Sequence, residues 1–108
     1  MIQGDICLHT FKSPDKRRPV LILTRSSAIP DLTWVTVAPL TTTLRKRNIP
    51  TEIWLDAEDG MSEACAVNLD NIQTVQKEKL GNIIGHLSAV RMSEVREALE
   101  PAFDLKNL

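Results

Sequence analysis

The sequence has 108 residues, of which 43% are hydrophobic and 25% charged, so we expect one globular domain over residues 1–108 and exclude wholesale disorder. Aromatic residues make up only 4% and tyrosine is absent, which argues against extensive base-stacking platforms for single-stranded nucleic acid. The net charge of −1 does not by itself indicate a nucleic-acid partner.

Hydrophobic runs separated by turn residues predict short strands over the first two thirds of the chain. These predicted strands cover residues 5–10, 19–23, 34–38, 51–55, 64–69 and 72–75. A polar turn over residues 12–17 precedes the second strand, which Pro19 begins, and Pro39 closes the third. The apolar run at residues 20–23 is typical of a central strand buried on both faces.

The hydrophobic period changes near the C-terminus, where it predicts an amphipathic helix with Ser88 as its N-cap. Its apolar face holds Val95, Ala98, Leu99, Ala102 and Phe103. Pro101 removes one backbone hydrogen bond, so we predict a kink or an early end there. Residues 77–79 are predicted to form a short helical turn. Strands followed by one helix indicate a mainly β fold, a small and mostly antiparallel β-barrel with a C-terminal helix.

Neither a metal site nor a cofactor is predicted. Cys7 and Cys65 form no CxxC pair and are interpreted as buried free thiols, while His9 and His86 have no ligand at a standard spacing. The acidic segment at residues 56–63 departs from a calcium loop and is interpreted as a solvated turn. The four glycines are scattered singly, which argues against a phosphate-cradling loop.

No secretory signal peptide is expected from the N-terminal residues. Residues 1–5 lack the basic and apolar regions of a signal peptide, and no apolar stretch approaches the ~20 residues of a membrane span. We therefore expect a cytoplasmic protein without a membrane partner.

Basic residues are concentrated in one half of the sequence. Residues 1–50 hold eight Lys or Arg and three Asp or Glu. Residues 51–108 hold five Lys or Arg and eleven Asp or Glu. Within the basic half, Arg18 stands just before Pro19 and a buried strand, which fixes its backbone. Its planar guanidinium matches phosphate, although an ordinary solvated arginine is the alternative. The basic half itself is either an anion-binding face or a solvated surface.

Three hydroxyl side chains, at residues 41–43, follow the third predicted strand and precede the basic run at residues 45–47. Threonines at a strand end commonly cap a turn, and they can also donate hydrogen bonds to phosphate oxygens. Both interpretations stay open on the residues alone.

Together these segments resemble the MazF/PemK toxins of type II toxin–antitoxin systems, and the resemblance covers essentially the whole chain. The matching pieces, in order, are Gly4-Asp5-Ile6, Arg18-Pro19-Val20-Leu21-Ile22-Leu23, Val35-Thr36-Val37-Ala38-Pro39-Leu40-Thr41-Thr42, Ile49-Pro50-Thr51-Glu52-Ile53, Ala66-Val67-Asn68-Leu69-Asp70-Asn71-Ile72-Gln73-Thr74-Val75, Lys79-Leu80, Ile84-Gly85 and Glu97-Ala98-Leu99. Each piece is weak alone, whereas their order and spacing are specific.

The resemblance implies an SH3-like antiparallel barrel of the CcdB/MazF-like fold that forms a homodimer. It implies a metal-independent endoribonuclease, an mRNA interferase, that cleaves single-stranded RNA by 2′-OH attack and leaves 2′,3′-cyclic phosphate and 5′-OH ends. The family's catalytic arginine and threonine fall on Arg18 and Thr41. A cognate MazE-like antitoxin is implied as a partner.

Further residues are predicted to bind RNA around this pair. Charge and hydroxyl chemistry assign Lys16, Arg17, Thr42 and Arg45 to the phosphates. Asn68, Asp70 and Gln73 are assigned to the RNA groove, where amides read unpaired bases, with turn capping as the alternative.

The sequence also departs from the family. The loop before Arg18 is short and lacks the glutamate often found there, and Asp15 is the nearest acid. Two other functions were weighed: a CcdB-like DNA gyrase poison, which the tryptophan-free C-terminus disfavours, and a nuclease-inactive barrel that binds RNA or an antitoxin, which Arg18 and Thr41 disfavour.

Overall fold

The computed structural model describes residues 1–11, 16–43 and 49–108, with only the backbone described at Lys16. These ranges contain seven strands and one α-helix, with short 3₁₀ turns between them. The elements are β1 (Asp5–Phe11), β2 (Lys16–Ile22), β3 (Trp34–Thr41), β4 (Glu52–Leu55), β5 (Cys65–Asn68), β6 (Gln73–Gln76), β7 (Ile83–His86) and α1 (Ala89–Phe103).

The strands form one curled sheet in the order β4-β5-β3-β2-β1-β7, in which neighbouring strands run antiparallel. Strand β3 organises the curl because it changes partner along one edge. Its first half pairs with β6 up to Val37, and its end pairs with β5 from Leu40 to Thr41. The predicted mainly β, antiparallel architecture with a C-terminal helix is confirmed.

Alternating side chains give the sheet two buried faces, because successive residues of a strand point in opposite directions. In β2, Leu21 belongs to the core that α1 covers, whereas Val20 and Ile22 belong to a second core on the other face. All three side chains are fully buried. This confirms the prediction of a central strand buried on both faces.

Helix α1 begins where predicted, since the Ser88 side chain accepts a hydrogen bond from the backbone N–H of Arg91. It packs Val95 and Ala98 into the core, but the prediction that Phe103 is also packed there is wrong, because this ring is 51% exposed. A kink or an early end was predicted at Pro101, and of these the early end is wrong, since the helix continues to Phe103. Pro101 lies in the last turn, and Ala102 still packs against the core after it.

Three strand predictions need correction. Strand β2 begins at Lys16, so Pro19 lies within it, and β3 continues through Pro39 to Thr41. Strand β7 was not predicted, because its run of Ile83 to His86 is too short to show a period and lies exposed at an edge of the sheet. The predicted turn at residues 77–79 is confirmed as a 3₁₀ turn.

No described helix is both long and apolar enough to span a membrane. Cys7 and Cys65 are buried and unbonded, as predicted, and burial raises the pKa of both thiols. Thiols held protonated in this way are poor nucleophiles.

Candidate functional site

A polar cavity of about 360 Å³ opens where β2 and β3 separate. Its lining includes two arginines, three threonines and one glutamate. The lining residues are Arg17, Arg18, Pro19, Leu40, Thr41, Thr42, Thr43 and Glu63. The structure therefore brings together the two residues to which the resemblance assigns catalysis, along with Arg17 and Thr42.

Strand register accounts for the meeting of Arg18 and Thr41. Val20 faces Pro39 in the antiparallel pairing of β2 with β3. Continued two residues beyond this last pair, the register would set Arg18 opposite Thr41 on the same face, although the ladder itself ends at Val20 and Pro39. Arg18 is paired with His9 of β1 and Thr41 with Ala66 of β5, so the sheet holds both backbones.

Backbone pairing between β2 and β3 stops at Val20, and Pro19 explains why. In an antiparallel ladder every second facing pair exchanges hydrogen bonds. The bond from the Leu23 N–H to the Thr36 carbonyl, 2.9 Å long, shows which pairs these are. Leu23 and Thr36 are therefore a hydrogen-bonded pair, and so is every second facing pair after them. The first such pair beyond Val20 would be Pro19 with Leu40. Proline has no N–H to donate, so the ladder ends, the strands separate and the cavity lies between them.

Arg18 is held from the other side by β1, where its backbone faces His9. Its side chain is half-buried, and none of the ion pairs within the described residues involves it. With respect to these residues, the five N–H donors of the guanidinium remain available for an anion. The cavity is therefore suited to bind a phosphate group.

Thr41 combines the two roles that the sequence left open. Its Oγ1 accepts a hydrogen bond of 3.1 Å from the backbone N–H of Thr43, so the hydroxyl does cap a turn. That bond uses only a lone pair, so the hydroxyl hydrogen stays available to donate to a ligand oxygen.

Glu63 was not predicted as a site residue, because it falls within the acidic segment interpreted as a solvated turn. The residue precedes β5, and β5 pairs with the end of β3, so Glu63 reaches the wall of the cavity. Only that strand pairing, which no local pattern shows, could have predicted its position.

A second, mainly apolar cavity of about 310 Å³ adjoins the first. Pro19, Leu40, Thr42 and Glu63 line both, and the second adds Gly60, Met61, Ser62, Cys65 and Ile84. An elongated groove with a cationic end and an apolar end can hold a phosphate together with a larger, flatter group.

The wall that carries Glu63 is tied to α1. Arg91 donates two hydrogen bonds to Asp59, from Nε at 3.0 Å and from Nη2 at 3.2 Å, and a third to Glu94 at 2.9 Å. Asp56 and Asp59 also form a reciprocal capping box around the same turn. Most of this turn is exposed, as interpreted from the sequence, but the Asp59 side chain is only 9% exposed.

We predict that Asp59→Asn lowers the free energy of unfolding at pH 7 by about 1–3 kcal/mol, because the charge-assisted bonds to Arg91 are lost. The Arg91 hydrogen bonds lower the pKa of Asp59 below its unfolded value. Their stabilisation is therefore present above the ordinary aspartate pKa of about 3.9 and disappears as pH falls through the lowered pKa. Urea unfolding should show a smaller difference between the two proteins at pH 3 than at pH 7.

The matched control is Glu58→Gln, which changes an exposed acid on the same turn and should leave stability nearly unchanged. A difference between the wild type and Asp59→Asn that is as large at pH 3 as at pH 7 would contradict the role of the ion pair.

Three predicted RNA-binding residues lie away from both cavities. The Asn68 side chain accepts a 2.9 Å bond from the backbone N–H of Asp70, and Asp70 accepts a 2.6 Å bond from the Thr51 hydroxyl. Gln73 begins β6 opposite Val37. Turn capping is thus present at Asn68. Arg45 and Asp15, as well as the side chain of Lys16, lie outside what the structure describes.

His86 and Asp5 form a separate pair at the edge of the sheet, with 2.9 Å between Nδ1 and a carboxylate oxygen. Across the described ranges, no group of three or more His, Cys, Asp or Glu is placed to hold a metal ion.

The family model described as PemK-like, MazF-like toxin of type II toxin–antitoxin system matches residues 2–103. Among curated proteins, the chain is 48% identical over 91 residues to endoribonuclease MazF3 of Mycobacterium tuberculosis, an alignment that covers 84% of this chain and 86% of the relative.

Solved structures show the same likeness. The Mycobacterium tuberculosis toxin MazF-mt6 is 43% identical with a TM-score of 0.83, over 93% of this chain and 96% of that one. An endoribonuclease in complex with its cognate antitoxin, from a mycobacterial species, is 28% identical with a TM-score of 0.85. The match covers 97% of this chain and 96% of that one. The CcdB/MazF-like fold expected from the sequence is confirmed.

Proposed function

Because the chain belongs to the PemK-like, MazF-like toxin family of type II toxin–antitoxin systems, we propose that it is an endoribonuclease that cleaves single-stranded RNA, including mRNA, without a metal ion. The observation that carries this proposal is the cavity that Arg18 and Thr41 both line. We also propose that residues 1–108 act as a single toxin domain.

In the proposed reaction the RNA supplies its own nucleophile. The ribose 2′-OH attacks the adjacent phosphorus, the bond to the 5′-oxygen breaks, and the products are a 2′,3′-cyclic phosphate and a 5′-OH end. Negative charge accumulates on the non-bridging oxygens as the pentavalent state forms, and Arg18 neutralises it. Thr41 donates its hydroxyl hydrogen to one of these oxygens. Since both donors are fixed by the sheet, little reorganisation is needed at the moment of reaction.

The RNA backbone approaches along the basic half of the chain. Arg17 and Thr42 line the cavity beside the reacting phosphate and bind its neighbours. Lys16 and Arg45 are proposed to add phosphate contacts from segments next to the cavity.

Base reading is proposed for Asn68, Asp70 and Gln73, which lie on the β5–β6 side of β3. Their capping bonds leave the Asn68 NH₂ group and one Asp70 oxygen available to unpaired bases.

We propose two protein partners. A second copy of the chain forms a homodimer, for which edge strand β7 offers the exposed Ile83. A MazE-like antitoxin binds over the Arg18 face and blocks RNA, as a related endoribonuclease has been solved with its cognate antitoxin. The proposed place of action is the cytoplasm, where mRNA is translated.

The experiment that tests the function is cleavage of a long, weakly structured RNA in excess EDTA, with the 5′ ends mapped. Discrete cuts that leave 5′-OH ends are expected, because the 2′-OH mechanism requires no metal. Absence of cleavage by the folded protein on several diverse RNAs would contradict the proposal and favour a role in binding alone. Cleavage that EDTA abolishes would contradict the metal-independent chemistry.

A further inference from the structure

Arg18 and Thr41 supply no proton acceptor for the proposed reaction. The attacking 2′-OH must lose its proton, but an arginine stays protonated in proteins and a threonine hydroxyl is not basic near neutral pH. The described lining of the polar cavity includes one carboxylate, that of Glu63. A carboxylate is the group that commonly takes such a proton when histidine is not used.

Glu63 stands where the polar and the apolar cavities join, since it lines both. A phosphate bound at Arg18 with its ribose and base directed towards Met61 would bring the 2′-OH past this point. The Glu63 side chain is exposed, and it borders the path between the two ends of the groove.

The segment that carries Glu63 is anchored at both ends. Before it, the turn at residues 56–60 is closed by the capping box and held to α1 by Arg91. Gly60 adopts a left-handed backbone with φ of 85°, and the Met61 N–H bonds to the Asp56 carbonyl. After it, β5 begins at Cys65 and joins the sheet. Anchoring of this kind fixes where a side chain from residue 63 can reach.

We propose that Glu63 is the general base of the RNA cleavage reaction, an inference that rests on the proposed endoribonuclease function. Its carboxylate takes the proton of the 2′-OH as the bond from the 2′-oxygen to phosphorus forms. The bond from phosphorus to the 5′-oxygen breaks, and the departing oxygen takes a proton from water. Glu63 then returns its proton to solvent, so the step needs no oxidant, reductant or further co-reactant.

Titratable groups from three elements lie near Glu63. Arg17 and Arg18 of β2 line the polar cavity with it. Asp59 belongs to the preceding turn, where Arg91 neutralises it. Burial, with a smaller contribution from the charge of Glu63, raises the pKa of the Cys65 thiol in β5, so this neighbour stays neutral.

The test compares Glu63→Gln with the wild type and with Glu58→Gln in single-turnover and steady-state cleavage. Both variants remove one negative charge from the same stretch of chain, but Glu58 does not line either cavity. We expect Glu63→Gln to lower kcat by about 10²- to 10⁴-fold. KM for RNA should fall or stay constant, because a carboxylate next to bound phosphate repels it. Glu58→Gln should keep the wild-type kcat.

The pH profile distinguishes a base from a positioning residue. Wild-type kcat should fall over the acidic range in which carboxylates titrate, and the residual activity of Glu63→Gln should lose that dependence. Glu63→Asp, which keeps a shortened carboxylate, should retain the dependence at a lower rate and serves as the second variant if glutamine disturbs folding.

The possible failures are separable. If the wild type does not cleave RNA at all, the proposed function fails. If the wild type cleaves and folded Glu63→Gln keeps its kcat, or loses kcat while keeping the acidic dependence, the general-base assignment is overturned and the endoribonuclease proposal stands.

Discussion

Replacing Arg18 with alanine should lower kcat for RNA cleavage by about 10²- to 10³-fold, which corresponds to roughly 3–4 kcal/mol of lost transition-state stabilisation. The reason is local: within the described residues Arg18 has no ion-pair partner, so its charge is free to serve the phosphate. Since the guanidinium acts mainly as charge develops, kcat should fall more than RNA affinity. Single-turnover cleavage at saturating enzyme measures this directly.

Arg25→Ala is the matched control, because it removes the same charge from the same basic half at an exposed position outside the cavity. It should reduce RNA affinity slightly and leave the cleavage rate unchanged. A folded Arg18→Ala protein that cleaves at the wild-type rate would remove Arg18 from the mechanism. Equal losses of cleavage rate in Arg18→Ala and Arg25→Ala would show that the rate depends only on the net charge of the protein.

The largest expected effect on stability follows from Leu21, which lies three residues after Arg18 on the same strand. Its side chain is fully buried in the core beneath α1. Leu21→Ala should lower the free energy of unfolding by about 3 kcal/mol, because burial is lost and a cavity remains. For a domain of this size each kcal/mol lowers Tm by about 4–8 °C. Urea and thermal unfolding at a fixed protein concentration measure both quantities.

The same substitution at Leu105, a side chain that is 48% exposed, should cost well under half as much. The cleavage rate per folded molecule should also be retained in Leu21→Ala, since Pro19 and β1 still fix the strand around Arg18. Comparable losses of stability at the two leucines would show that β2 is not the centre of the core.

Patterns that repeat over several residues predicted the fold well. The β-branched and apolar runs predicted six of the strands, and the spacing of Val95 and Ala98 predicted the packed face of α1. Strand β7 escaped prediction because four residues of an edge strand carry too little hydrophobic pattern. The helix does not end at Pro101 as the low helix propensity of proline suggests. One backbone hydrogen bond lost in the last turn does not outweigh the packing of Ala102.

The candidate site was predicted in part. Arg18 and Thr41 were identified by resemblance, and register explains why they meet. Glu63 and the Arg91 tether were missed because they depend on contacts between segments far apart in sequence, 32 residues in the case of Arg91 and Asp59. Local sequence patterns predict strands and turns, whereas such contacts depend on how the sheet curls.

Pro19 also limits the conformational entropy of the residue before it. A residue that precedes proline is confined to extended backbone conformations, so Arg18 is restricted to a strand-like backbone even in the unfolded chain. It therefore loses less backbone entropy on folding than arginine at an ordinary strand position would. On the side towards β3, where Pro19 ends the ladder, the arginine keeps its geometry without a paired neighbour. Pro19 thus opens the cavity and also reduces the entropic cost of keeping Arg18 ordered before any ligand binds.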